Sequence, residues 1–243
     1  MSRKSKRNRA DLESQTGQEG NVPHAGGSSR RGAVIGAVAA LLVFVVAGAF
    51  LFKDKGTRPA QTAAAASQAA LASEHSPTVG DASAKVHVVE FLDPACETCA
   101  VFYPMVKQWM AENPGRIRLS VRHIPFHEGS EYVVRLLEAS RNQDKYWQTL
   151  ETLLASQSQW TSHHTVDPEL AWQAIAGLGL NVEQLKADMD SADVAQRMQR
   201  DRDDAMALKV TATPEYFVNG RSLPSFGQQQ LETLVREELQ RAY

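Results

Sequence analysis

Two cysteines make up the entire thiol inventory of this 243-residue chain, and they stand three positions apart in FLDPACETCA, from Phe91 to Ala100. Cys96 follows a strand-like run, and Cys99 lies one helical turn further on at the start of a helical pattern. Both sulfurs can therefore face each other at the amino end of a helix. Unpaired N–H groups and the positive end of the helix dipole stabilise a thiolate at such a place. The spacing predicts Cys96 as a nucleophile toward disulfides and Cys99 as the thiol that resolves the mixed disulfide. Two blander uses fit less well. A structural zinc site takes about four ligands, yet there is no second CxxC, and His123, His127, His163 and His164 show no ligand spacing with the cysteines. A structural disulfide closing so short a loop would remove little entropy from the unfolded chain.

The elements that must position this pair can be read on either side of it. KVHVVEFLD, residues 85–93, is rich in β-branched residues and apolar on both parities apart from His87 and Glu90, the pattern of a strand covered on both faces. After the cysteines, Val101, Phe102, Met105, Val106, Trp109 and Met110 recur at helical spacing, up to a turn at Asn113, Pro114 and Gly115. RIRLSVRHIPF, residues 116–126, alternates Ile117, Leu119 and Val121 with polar residues and reads as a second strand. Strand, helix, strand implies a right-handed parallel unit. From about residue 130 to 208 the pattern is helical with breaks, and its aromatics and methionines read as core. EYFV and RSL then flank Asn219 and Gly220, a two-residue hairpin signal, and a closing helix is expected from about Gly227 to Arg241.

At four positions the chain resembles the thioredoxin superfamily, and within it the DsbA-like branch of exported thiol-disulfide oxidoreductases. Cys96 and Cys99 match the active-site pair. Glu90, six residues before Cys96, matches the buried acid of the incoming strand. Pro104 matches the proline that kinks the active-site helix. ATPEYFVNG matches the cis-proline loop and its hairpin, with Pro214 as the cis residue and Thr213 before it. The resemblance covers about the last two thirds of the chain. It implies an α/β thioredoxin fold over residues 79–243, with an inserted helical domain at about 130–208.

Physical roles can be set beside that resemblance. Glu90 shares a parity with Val88 and Leu92, so burial should raise its pKa and let it relay a proton for Cys99; the residues alone also allow an exposed strand-end carboxylate. Pro104 should break the helix ladder. Pro214, if cis, leaves a backbone edge beside the sulfurs where an extended substrate can pair, with Thr213 sharing that contact; an ordinary trans proline opening a strand is the alternative. Between the cysteines stand Glu97 and Thr98. A carboxylate beside Cys96 opposes the helix dipole, and Thr213 resembles the residue of isomerase-like and reductase-like members, so both lean away from strong oxidation. The lean is small. Family potentials span about 150 mV, about 7 kcal/mol, whereas one exposed charge supplies about 1 kcal/mol or less.

The rest of the chain bears on place and partners. Residues 32–52, GAVIGAVAALLVFVVAGAFLF, carry no charge and are long enough to span a hydrocarbon core of about 30 Å, so one transmembrane helix is expected, uncleaved. The 1–31 tail holds Arg3, Lys4, Lys6, Arg7, Arg9, Arg30 and Arg31, the larger Lys/Arg excess. It should be disordered and cytoplasmic, with everything after Phe52 in the periplasm or an equivalent exported space. Residues 53–78 are Ala-rich and read as a tether. A net charge of −2, without a basic stripe interleaved with aromatics, argues against nucleic acid as a partner. The expected activity is dithiol–disulfide exchange with cysteines of exported proteins, in a direction the sequence leaves open, with no metal or organic cofactor and with a redox partner in the membrane. The alternative is a non-catalytic binding or chaperone module for exported polypeptides.

Overall fold

The computed structural model of the protein describes residues 67–72 and 74–243. At its centre lies β2 (Val86–Leu92), six of whose seven residues are buried. It pairs in parallel with β3 (Ile117–His123), from Val86 opposite Ile117 to Leu92 opposite His123. The crossover between them is α1 (Glu97–Glu112). Asn113 ends that helix by returning its backbone N–H and its side-chain amide to the Trp109 carbonyl, at 3.0 and 2.9 Å. On the other side of β2 runs the antiparallel β6 (Glu215–Val218), which turns through Asn219 and Gly220 into β7 (Arg221–Ser222). Both turn residues have positive φ, the left-handed pair that a two-residue hairpin requires. With β1 (Thr78–Val79) antiparallel to β3, the sheet order is β1-β3-β2-β6-β7.

Each face of β2 is covered by a different layer. Val86, Val88 and Leu92 join a core with Phe102, Tyr103 and Val106 of α1 and with Leu231, Leu234 and Val235 of the last helix, α8 (Gln228–Ala242). Val89 and Phe91 face the opposite way, onto Ile124, Ala205, Val210 and Phe217. This is why the strand reads apolar on both parities. Gly80 connects β1 to β2 at φ +106, and a Cβ there would lie 2.7 Å from the Ile117 carbonyl oxygen.

Between β3 and β6 lie α2 (Ser130–Ser140), α3 (Tyr146–Ala155), the four-residue α4 (Gln157–Trp160), α5 (Pro168–Ile175), α6 (Val182–Met189) and α7 (Ala192–Leu208). A small hairpin of β4 (Thr161–Ser162) and β5 (Thr165–Val166) interrupts them, turning on His163 and His164, both at positive φ. Along α5 and α6, Ile175, Leu185 and Met189 are buried, whereas Leu170 and Val182 are exposed.

The second strand forms where it is expected, with its polar residues Ser120 and Arg122 buried along with their apolar neighbours. Part of the stretch expected as a tether, 53–78, is packed onto the fold. Residues 67–71 form a helical turn, Ala70 is buried, and its carbonyl accepts a hydrogen bond from Arg122. Arg122 also pairs with Asp201 and Asp204, His75 lies 2.7 Å from Asp201, and Val121 donates its N–H to the Pro77 carbonyl. Polar groups on β3 and α7 thus find their partners in a segment whose composition resembles a spacer. The expected membrane span, 32–52, lies outside the described residues, among which no helix is long and apolar enough to cross a membrane.

Candidate active site

The loop from β2 to α1 is built on Asp93, whose carboxylate is fully buried. One oxygen accepts the Ala95 N–H at 2.9 Å and the Ser130 hydroxyl; the other accepts the N–H groups of Phe126 and His127, at 2.7 and 2.9 Å, and contacts His127 Nδ1 at 2.7 Å. The Asp93 carbonyl takes the Cys96 N–H at 3.0 Å. One side chain therefore ties three segments together and delivers Cys96 in extended geometry, φ −79° and ψ 115°, as the residue that opens α1.

Cys96 and Cys99 are both free thiols and both buried. Cys96 holds no formed side-chain cap, but the Cys99 thiol and the N–H groups of Cys99 and Thr98 face its sulfur and act on it electrostatically. With the Thr213 side chain they bring its pKa down from 9.0 to about 6, the Cys99 side chain acting most strongly and burial opposing. Cys99 goes the other way. Burial, the thiol of Cys96 and the charge of Glu90 push it far above the usual thiol range. One sulfur is held ready as an anion and its neighbour is held neutral.

Beneath the pair, Glu90 of β2 is fully buried. It sits opposite Tyr216 in the β2–β6 register, and the Tyr216 hydroxyl donates to its Oε1 at 2.8 Å. Its Oε2 has no hydrogen-bond partner among the described residues. Burial pushes the carboxyl up to about 8, with the charge of Cys96 adding to the shift and the Tyr216 bond opposing it. A carboxyl with that value can give or take a proton near neutral pH. In the turn that leads into β6, the Thr213–Pro214 peptide bond is cis, and the Thr213 carbonyl accepts from the Cys96 thiol at 3.3 Å. Phe102 stacks between Tyr216 and the exposed Phe226, with ring centroids 6.2 and 5.0 Å away.

The structure thus brings Cys96, Cys99, Glu90, Thr213 and Pro214 together. Pro104 is carried within α1, on its exposed side. Glu97 and Thr98 lie in the first turn of α1, Glu97 exposed to solvent. The leading influences on Cys96 are its hydrogen-bond partners Cys99, Thr213 and Thr98 together with burial, and Glu97 is not one of them. Three residues were not singled out from the sequence. Asp93 had a local signal, since Asp-Pro after a strand is turn chemistry. Tyr216 could be reached only through the strand register. Gln157 of α4, whose amide donates to the Pro94 and Cys96 carbonyls at 2.8 and 3.0 Å, had none.

A dithiol at the start of a helix, above a buried acid and facing a cis-proline turn, defines a thiol-disulfide exchange protein by class. The chain belongs to the thioredoxin family, whose model matches residues 72–237. Among curated proteins it is 28% identical to a "probable disulfide bond formation protein D" of Bacillus anthracis over 207 residues, covering 79% of this chain and 90% of that protein. It is also 34% identical over 144 residues to a Na(+)/H(+) antiporter NhaA of Herminiimonas arsenicoxydans; that match covers 59% of this chain but spans only 22% of the antiporter's length. Among solved structures, a thioredoxin-like oxidoreductase from Silicibacter pomeroyi DSS-3 superposes with a TM-score of 0.62 at 25% identity, covering 72% of this chain and 98% of that one.

Proposed function

We propose that the protein is a thiol-disulfide oxidoreductase acting on cysteines of exported proteins through Cys96 and Cys99. The observation that carries the reading is the split between the two thiols, Cys96 lowered to about 6 and Cys99 raised, above a carboxyl at about 8. A binding or chaperone module has no use for an acidified nucleophile beside a proton relay. In reduction, the Cys96 thiolate attacks a substrate disulfide and one substrate thiolate leaves. Cys99 gives its proton to Glu90 and attacks Cys96 Sγ, the second substrate thiolate leaves, and the enzyme ends as a disulfide. Two electrons pass from enzyme to substrate. Oxidation is the same path reversed: a substrate thiolate opens the enzyme disulfide at Cys96, Cys99 leaves and takes its proton from Glu90, and a second substrate thiolate then attacks the first substrate sulfur, forming the substrate disulfide as Cys96 leaves as the stabilised anion.

We read the direction as oxidising. The name of the Bacillus relative, disulfide bond formation, supports it, and so does a thiolate that stabilises the dithiol form. The size of that push is modest: a thiol at about 6 favours the dithiol at pH 7 by about 1.4 kcal/mol, about 30 mV. Thr213 and Pro214 offer the backbone edge on which an extended substrate can pair. Re-oxidation after each turnover calls for an electron acceptor, and the apolar stretch 32–52 supports a membrane anchor that holds the domain on the exported side beside such a partner. Oxidative refolding of a reduced multi-cysteine protein tests the activity. Wild type should restore the native form, and Cys96→Ala should abolish turnover; turnover that survives in Cys96→Ala would falsify the reading.

A further inference from the structure

Two carbonyls of the active-site loop, those of Pro94 and Cys96, are held by one side chain from outside the thioredoxin part. Gln157 is buried, and its Nε2 lies 2.8 Å from the Pro94 carbonyl oxygen and 3.0 Å from that of Cys96. Both partners are acceptors only, so the amide nitrogen must be the atom that faces them. The carrier of this amide is anchored. Trp160, fully buried, donates its indole N–H to the Leu153 carbonyl at 2.9 Å, and the Thr161 hydroxyl donates to the Gln157 carbonyl at 2.9 Å.

Two peptide planes of the loop are thereby held. The Pro94–Ala95 plane is fixed at its N–H by the Asp93 carboxylate and at its carbonyl by Gln157. The Cys96 carbonyl receives the Ala100 N–H at 3.2 Å as the first bond of α1 and Gln157 as its second donor. A carbonyl turned toward the sulfur would oppose the thiolate by its negative end, and a donor on the far side prevents that turn.

We propose that Gln157, carried on the helical insertion, is a positioning residue for the Cys96 thiolate. Its amide binds the Pro94 and Cys96 carbonyls and keeps the N–H groups of Thr98 and Cys99 as the dipoles that face the sulfur. The inference rests on the dithiol reading above, and its test does not depend on turnover. The reduced full chain is titrated by the pH dependence of Cys96 alkylation with iodoacetamide, alongside the refolding assay on wild type. Gln157→Met keeps the length and loses the N–H; Gln157→Asn keeps an amide one methylene too short to reach both carbonyls. Both should move the Cys96 midpoint up by about half a unit to one unit, so that alkylation at pH 6 slows about two- to fivefold. Thr161→Val loosens the same short helix without touching the amide and should leave the midpoint in place. The inference is overturned by a wild-type midpoint in both Gln157 variants, or by an equal shift in Thr161→Val. An inert wild type would dispose of the dithiol reading instead, while the titration would still decide the role of Gln157.

Discussion

At Cys96 and Cys99 the same thiol chemistry is driven in opposite directions by surroundings only a helical turn apart. Cys96 gains from hydrogen-bond donors, whereas Cys99 has burial and the Glu90 charge against it. Alkylation should therefore follow a titration with a midpoint near pH 6, all of it at Cys96, with Cys99 unmodified through neutral pH; mass spectrometry of the labelled peptides reads this directly. Glu90 carries a cost for its position. Its folded value of about 8 lies above the ordinary 4.5, so its contribution to stability is fully present below pH 4.5 and is lost as pH rises through 8. Glu90→Gln keeps an acceptor for Tyr216 and removes the titration. It should stabilise the reduced protein by about 3 kcal/mol at pH 7 and by little at pH 4, measured by denaturant unfolding. It should also slow turnover, because Cys99 then lacks its proton acceptor. A uniform gain at both pH values would argue against a titrating Glu90.

Elements meet at Asp93, where the end of β2, the turn before α2 and the opening of α1 share one carboxylate. Asp93→Asn puts an N–H₂ group among N–H donors and leaves some of them buried without acceptors. The expected cost is about 3 kcal/mol in denaturant unfolding, with the alkylation midpoint of Cys96 rising as the loop loosens. The Asn113 stop and the Asn219–Gly220 turn are instances where residue type and geometry agree locally. They were readable for that reason. The His163–His164 turn and the four-residue α4 carry no comparable local pattern, since neither repeats long enough to show a period.

Across the described fold, the buried charges Arg122 of β3 and Asp201 of α7 pair with each other and hold Ala70 and His75. Removing one partner of a buried pair strands the other, so Arg122→Ala should cost about 3 to 5 kcal/mol in unfolding free energy. A chain beginning at Pro77 should be destabilised in the same assay, although it retains both cysteines and the whole sheet. The proposed anchor is tested separately. The full chain should sediment with membranes and resist carbonate extraction, whereas a chain lacking residues 1–55 should be released.

The sequence by itself determined the parts whose signals are local: the CxxC pair at a strand-to-helix junction, the doubly covered central strand, the hairpin before the last helix, and the helical run between the two halves. Periodicity and turn chemistry act between near neighbours, so one chain of letters displays them. Tertiary structure alone decided what depends on partners far apart in sequence. Ser120 and Arg122 are polar positions of an alternating strand, yet both are buried, the first paired with Thr78 and His87 and the second with Ala70, Asp201 and Asp204. Gln157 reaches the active-site loop across 61 residues of chain, and Asp93 takes its ligands from a loop more than 30 residues away. Burial and hydrogen-bond pairing at such distances are properties of the closed fold. The neutrality of Cys99 follows from burial and from the charge of Glu90, whereas most of the groups that acidify Cys96 lie within three residues of it and belong to the local CxxC pattern.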